Sequence, residues 1–190
     1  MRNPTEFEVT LGRFVRSKLG TDTRVVRFAD DGEKNDVFIV SGRDCPVKGV
    51  TSYGSVGLAN CIQHSGSTPV NVELLGACAA ALLQFDNLVA SCVFESMKNG
   101  ANIAYGSFIE NILDQYRLSS TLRHVTFVAP ILWDGLDKAV VGEKTVYWLL
   151  MLLLSDSELT FLKQNGIDAL EKVFEKMQID IFDINRAPAL

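Results

Sequence analysis

The sequence predicts an α+β fold in which helices flank a mixed, largely antiparallel sheet. Three observations carry this. Apolar segments of strand length and amphipathic segments of helical period are intermingled without a regular βαβ alternation. Residues 146–154 are rich enough in aromatic and aliphatic side chains to be a strand buried on both faces, and too short for the ~20 residues of a membrane helix. That run closes on Ser155-Asp156-Ser157-Glu158. There the serine hydroxyl can take an orphan amide of a first helical turn while the glutamate reaches back to the amide of Ser155.

The elements follow in order. Residues 5–18 read as an amphipathic helix, with Phe7, Leu11, Phe14 and Val15 on one stripe, Pro4 suited to its first turn and Gly20 to its end. Arg24-Val25-Val26-Arg27-Phe28 and Asp36-Val37-Phe38-Ile39-Val40 are short strands. The Asp31-Gly32 pair between them is a hairpin signal. A third strand is expected over residues 48–53, a loop over 63–69 and a strand over 70–75. A long helix over 79–98 takes its apolar face from Leu82, Phe85, Leu88, Val89, Cys92 and Val93, and its stop from Asn99-Gly100. Residues 108–113 fit either a strand or a short helix. Residues 124–130 form a strand ended by Pro130. Residues 144–154 form the next strand, 155–164 the capped helix, and 167–177 a second helix with Leu170, Val173 and Phe174 inward. No repeat, low-complexity segment or linker interrupts this, so one domain over residues 1–190 is expected.

The 190 residues, 47% hydrophobic, suffice for a substantial core, and 22% charged residues argue against disorder. A net charge of −5 disfavours nucleic-acid binding, whose footprint is a basic patch, and favours a basic partner. The opening residues lack the apolar stretch of a secretory signal. The four cysteines, Cys45, Cys61, Cys78 and Cys92, are widely spaced, without a C-x-x-C pair, and only two histidines are present. The expectation is free thiols in the cytoplasm, with no zinc site, no cofactor and no membrane segment.

No catalytic constellation emerges. His64 sits in a Gly/Ser segment and reads as a solvated side chain; His124 opens a buried strand. Ser55, in Tyr53-Gly54-Ser55-Val56-Gly57, misses the spacing of a nucleophile elbow because Gly54 adjoins the serine. Asp30/Asp31 suit a turn and Asp156/Glu158 a helix N-terminus. P-loop, Rossmann and EF-hand patterns are missing.

The order of several blocks is more specific. His124-Val125-Thr126-Phe127-Val128-Ala129-Pro130-Ile131-Leu132-Trp133 comes first, then Val146-Tyr147-Trp148-Leu149-Leu150, then Leu154-Ser155-Asp156-Ser157-Glu158. Residues 161–166 and Ile179-Asp180-Ile181-Phe182-Asp183-Ile184-Asn185-Arg186 close the series. Upstream stand Gly49-Val50-Thr51-Ser52-Tyr53-Gly54 and Val72-Glu73-Leu74-Leu75-Gly76-Ala77-Cys78, ahead of the helix with Phe85 and Asn87. From about residue 35 to the end this resembles the suppressor of fused domain family, in its small bacterial single-domain branch. One departure stands out: the family typically reads Pro-Ile ahead of the Ser-x-x-Glu box, where this chain has Leu152-Leu153-Leu154. Without that proline, strand pairing is free to continue further.

The resemblance implies a suppressor-of-fused-like domain and a non-catalytic binding protein. The animal members sequester a transcription factor and carry a further C-terminal domain. The bacterial members look like antitoxins or immunity proteins that bind a toxin, often a nuclease. The expected partner is therefore a toxin domain with a basic surface, the alternative a regulatory adaptor that captures a peptide along a strand edge, and the third reading an enzyme using His64 and a loop serine. Asp30, Asp31, Glu33, Asp134 and Asp137 are the turn carboxylates available to a basic partner. Tyr53 and Tyr105, each followed by glycine, are the candidate aromatic anchors.

Overall fold

The computed structural model describes residues 2–30, 32, 34–79 and 84–190. Helix α1 (Glu6–Lys18) starts at a capping box formed by Thr5 and Glu8, so Pro4 precedes the cap rather than lying in the first turn. Strands β1 (Thr23–Ala29), β2 (Asp36–Arg43) and β3 (Val50–Val56) form an antiparallel meander. A 3₁₀ turn (Leu58–Asn60) leads into β4 (Gln63–Ser65) and the long β5 (Thr68–Ala79). The expected loop over 63–69 is thus a hairpin. Ser65 faces Thr68 across Gly66-Ser67, and Gly66 takes φ +61°, which a two-residue hairpin turn needs.

Helix α2 (Phe85–Asn99) starts later than the expected 79, because residue 79 still belongs to β5; residues 80–83, with Leu82, lie outside the described residues. Of residues 108–113 only β6 (Phe108–Ile109) is extended, and turns follow it. Strand β7 (His124–Val128) ends two residues before Pro130. Strand β8 (Lys138–Val141), unforeseen in the sequence, turns through Gly142-Glu143 into β9 (Lys144–Leu154). Helices α3 (Asp156–Asn165) and α4 (Ile167–Met177) complete the chain's regular structure, α3 starting at the Ser155/Glu158 capping box.

Among the described residues the sheet runs β1-β2-β3-β5-β9-β7-β6, with β4 added to β5 and β8 to β9. Every pair is antiparallel except β5 with β9. Strand β9 is central, and its residues 150–154 are buried on both faces as their composition demands, whereas Tyr147, 40% exposed, and the half-buried Leu149 leave one face open earlier in the strand. Trp148, Leu150, Leu152 and Leu154 pack on one side with Leu11 and Val15 of α1, Leu159 and Leu162 of α3, and Leu170 and Phe174 of α4. Met151 and Leu153 pack on the other with Phe85, Leu88, Val89 and Val93 of α2. Pairing with β7 continues to Leu154 opposite His124, so the three leucines at the departure from Pro-Ile do extend the ladder.

Two glycines seat α1 against this sheet. A Cβ on Gly42 would lie 2.1 Å from the carbonyl oxygen of Leu19, and one on Gly54 would lie 2.6 Å from Val15 Cγ1. Gly42→Ala is expected to destabilise by about 1–3 kcal/mol, the usual cost of overpacking, read as a lower midpoint in urea.

Candidate functional site: an apolar cleft with an acidic rim

A sharp turn after β7 builds one wall of the site. Trp133 anchors it: its indole N–H donates to Ser52 Oγ at 2.9 Å, and its ring meets Phe182 edge-on at 6.3 Å. Leu136 is buried, and the Asp137 carbonyl accepts the Trp148 amide. Ile131 and Leu132 ride on this pinned loop yet point outward, at 87% and 48% exposure.

Helix α4 builds the opposite wall. It contributes Glu171, Phe174 and Glu175 to the lining. The floor is Val128, Leu150 and Leu152 from the sheet, and Ile181 joins from the segment after α4. Together they enclose about 510 Å³. Tyr105 stands at one end, its hydroxyl donating to Glu171 Oε2 at 2.7 Å with Asp168 Oδ1 at 3.2 Å. Burial, and then these carboxylates, raise the phenol well above its ordinary pKa, so it remains a donor. Tyr105 also borders a smaller cleft of about 380 Å³ lined by Val70, Val72, Tyr147 and Leu149.

The segment after α4 is held by a buried ion pair. Glu158, the reciprocal half of the α3 capping box, accepts from Arg186 Nη1 at 2.6 Å and Nη2 at 2.9 Å, from the Ser155 amide at 2.9 Å and from the Ala189 amide at 2.8 Å. Burial pushes this carboxyl up, but the guanidinium and the amides outweigh it and hold it below the ordinary glutamate range. Arg186 Nη2 also reaches the Leu153 carbonyl at 2.9 Å. Residues 179–189 are thereby strapped to β9 and α3.

The carboxylates and tyrosines singled out from sequence fall in different places. Asp134 and Asp137 are exposed on the cleft's own loop, and Tyr105 lies at its end. Asp30 belongs to the β1–β2 turn, at the opposite edge of the sheet from β7. Its carboxylate accepts from Asn35 Nδ2 at 2.8 Å and the Lys34 amide at 2.9 Å, bonds that lower its pKa and make it a turn cap. Asp31 and Glu33 lie outside the described residues. Tyr53 requires correction as an exposed anchor: at 5% exposure it packs on Phe85 with ring centroids 5.1 Å apart. The cause is position, since β3 lies between β2 and β5 with α1 and α2 over its two faces.

Ser55 and the two histidines lie in separate settings. Ser55 is fully buried, its hydroxyl donating to Glu73 and accepting the Leu74 amide at 2.8 Å. His64 is exposed on β4. His124 Nδ1 accepts the Asn111 amide at 2.9 Å, so Nε2 carries the proton toward Asp156 Oδ1, also at 2.9 Å. Among the described residues no group of three His, Cys, Asp or Glu is arranged to hold a metal, and no helix is long and apolar enough to cross a membrane.

Comparison with known proteins agrees with the ordered blocks. The suppressor of fused protein (SUFU) family model matches residues 31–187. The immunity protein YqcF of Bacillus subtilis (strain 168) is 31% identical over 188 residues, covering 96% of each chain. The crystal structure of a SUFU homologue from Neisseria gonorrhoeae FA 1090 superposes with a TM-score of 0.74 at 18% identity, over 97% of both chains. The Sufu–Fu complex gives 0.60 at 13% identity, over 87% of this chain and 85% of that one. Drosophila Suppressor of Fused gives 0.55 at 15% identity, covering 88% of this chain and 42% of the fly protein. This chain belongs to the suppressor of fused protein family.

Proposed function

We propose that this chain is an immunity-type binding protein that neutralises a cognate protein toxin by direct contact, in the cytoplasm of the cell that makes it. The observation carrying this is the 31% identity to immunity protein YqcF along 96% of both chains, which leaves no large part of either unaccounted for. Charge supports the finer reading. A chain of net charge −5 and pI near 5.0 complements a basic surface such as a nuclease uses for its substrate, and complementary charge speeds encounter. Blocking access is then sufficient for inhibition. Co-expression with a toxin encoded beside this chain is expected to restore growth, with a complex on a sizing column. Continued killing without a complex would sink the proposal.

A second reading, a regulatory adaptor that takes up a peptide as an added strand, draws on the outer edge of β1, where Val25 is 46% exposed. A signalling or transcription-factor gene beside this one, with no toxin, favours that reading.

A further inference from the structure

We infer that the cleft between α4 and the loop carrying Ile131 is the face that docks the partner, and that the partner brings an apolar anchor flanked by lysine or arginine. This rests on the reading that the chain binds a protein, and adds where and by what chemistry. The apolar half of the argument is Ile131. An aliphatic side chain 87% exposed gains by burial against a partner, and the loop beneath it is already immobilised by Trp133, so docking orders little new structure. A volume of about 510 Å³ accepts one or two large side chains.

The charged half is α4. Asp168, Glu171 and Glu175 fall at i, i+3 and i+7, on one side of the helix, and such like charges repel one another. Glu171 and Glu175 line the cleft, whereas neither Lys172 nor Lys176 does. Tyr105 steadies Glu171 through its single proton without supplying positive charge. A cation arriving from outside relieves this repulsion. A second copy of the chain, itself at −5, is a poor occupant for the same reason.

The test uses the purified domain of a toxin that the wild-type protein neutralises on co-expression, titrated against the wild-type protein, Ile131→Asp, the double variant Glu171→Lys/Glu175→Lys, and Val140→Asp as control. Val140 is 74% exposed on β8 and does not line the cleft. Ile131→Asp is expected to weaken binding about thirtyfold or more at unchanged melting temperature, as loss of a hot spot does. The double reversal is expected to slow association about tenfold and flatten its salt dependence, while Val140→Asp binds as wild type. Wild-type affinity in both cleft variants, or an equal loss in Val140→Asp, would overturn the docking face and leave the binding reading standing. So would a dimer of the free chain that Ile131→Asp abolishes. No complex with the wild-type protein would remove the binding reading and the docking face together.

Discussion

Glu158→Ala is expected to cost about 3–5 kcal/mol of folding stability, because it leaves the Arg186 guanidinium buried without its counter-charge. Arg186 has 7% side-chain exposure and Glu158 none, so water cannot replace the lost partner. The same deletion removes the reciprocal half of the α3 capping box and the acceptor of the Ala189 amide. For a chain of this size such a loss lowers the melting temperature by roughly 10 °C. Glu158→Gln keeps an acceptor for the cap and is expected to lose less. Replacing both partners, as Glu158→Leu with Arg186→Met, is expected to recover much of the loss, since an apolar pair leaves no orphan charge. The pH dependence follows from the lowered carboxyl pKa. The stabilisation is full above the unfolded value near 4.3 and is lost as pH falls through the folded value. Acid unfolding of the wild type is therefore steeper than that of Glu158→Gln. There is also a functional consequence. Ile181, on the segment that Arg186 straps down, forms part of the cleft, so Glu158→Ala is expected to weaken partner binding even where the protein remains folded.

How far the sequence alone reveals this molecule depends on the range of the interactions involved. The start of α3 was legible to the residue, because a capping box is written within four consecutive positions. The burial of residues 150–154 of β9 was legible because a strand covered on both faces shows no alternation, but the exposure of Tyr147 was not, since an apolar run does not say where its cover ends. Its partners were not. The parallel pairing of Asn71–Leu75 with residues 146–150 joins segments far apart in the chain, and no local pattern specifies it. Strand β4 was obscured by its polar edge residues His64 and Ser65, although Gly66-Ser67 carried the hairpin signal. Strand β8 was obscured by its brevity.

The cleft was legible only in part. Of its lining residues Tyr105 could be picked out, because an aromatic-glycine pair is a local feature; Asp134 and Asp137, equally local as acidic turn residues, lie on the adjoining loop and do not line it. Ile131 and Leu132 could not be picked out, because exposure of an aliphatic side chain depends on what packs beside it, and here Trp133 and Leu136 turn inward while their neighbours turn out. The acidic row on α4 was visible in the sequence as Asp168, Glu171 and Glu175. Only the fold places it beside an apolar floor.

Glu73 behaves in the opposite sense to Glu158, and the contrast separates stability from function. It is fully buried on β5 and accepts from the Gly57 amide at 2.7 Å, the Ala59 amide at 3.0 Å, the Leu58 amide at 3.3 Å and the Ser55 hydroxyl, while the nearby Lys144 ammonium donates to the Ala59 carbonyl at 3.3 Å. Burial therefore dominates, and these donors offset only part of it, so its pKa lies above the ordinary glutamate value. Glu73→Ala would orphan three amides at the start of the 3₁₀ turn. At about 1–3 kcal/mol for each buried unsatisfied donor, and with incomplete additivity, the expected loss is about 3–5 kcal/mol. Glu73→Gln retains one oxygen for Gly57 and Ala59 but turns an NH₂ toward the Leu58 amide, so a smaller loss is expected. The sign of the pH effect reverses. Between the unfolded value near 4.3 and the raised folded value, the native state holds more protons than the unfolded one, so this group's contribution falls as pH rises. The stability of wild type relative to Glu73→Gln is expected to decline with pH across that window, in urea melts at matched ionic strength. A difference that rises with pH would contradict the raised pKa. Glu73 does not line the cleft, so its variants, assayed where they are folded, are expected to bind the partner as the wild type does, whereas Glu158→Ala does not. That pairing makes the position of the docking face measurable by two buried glutamates, neither of which touches the partner.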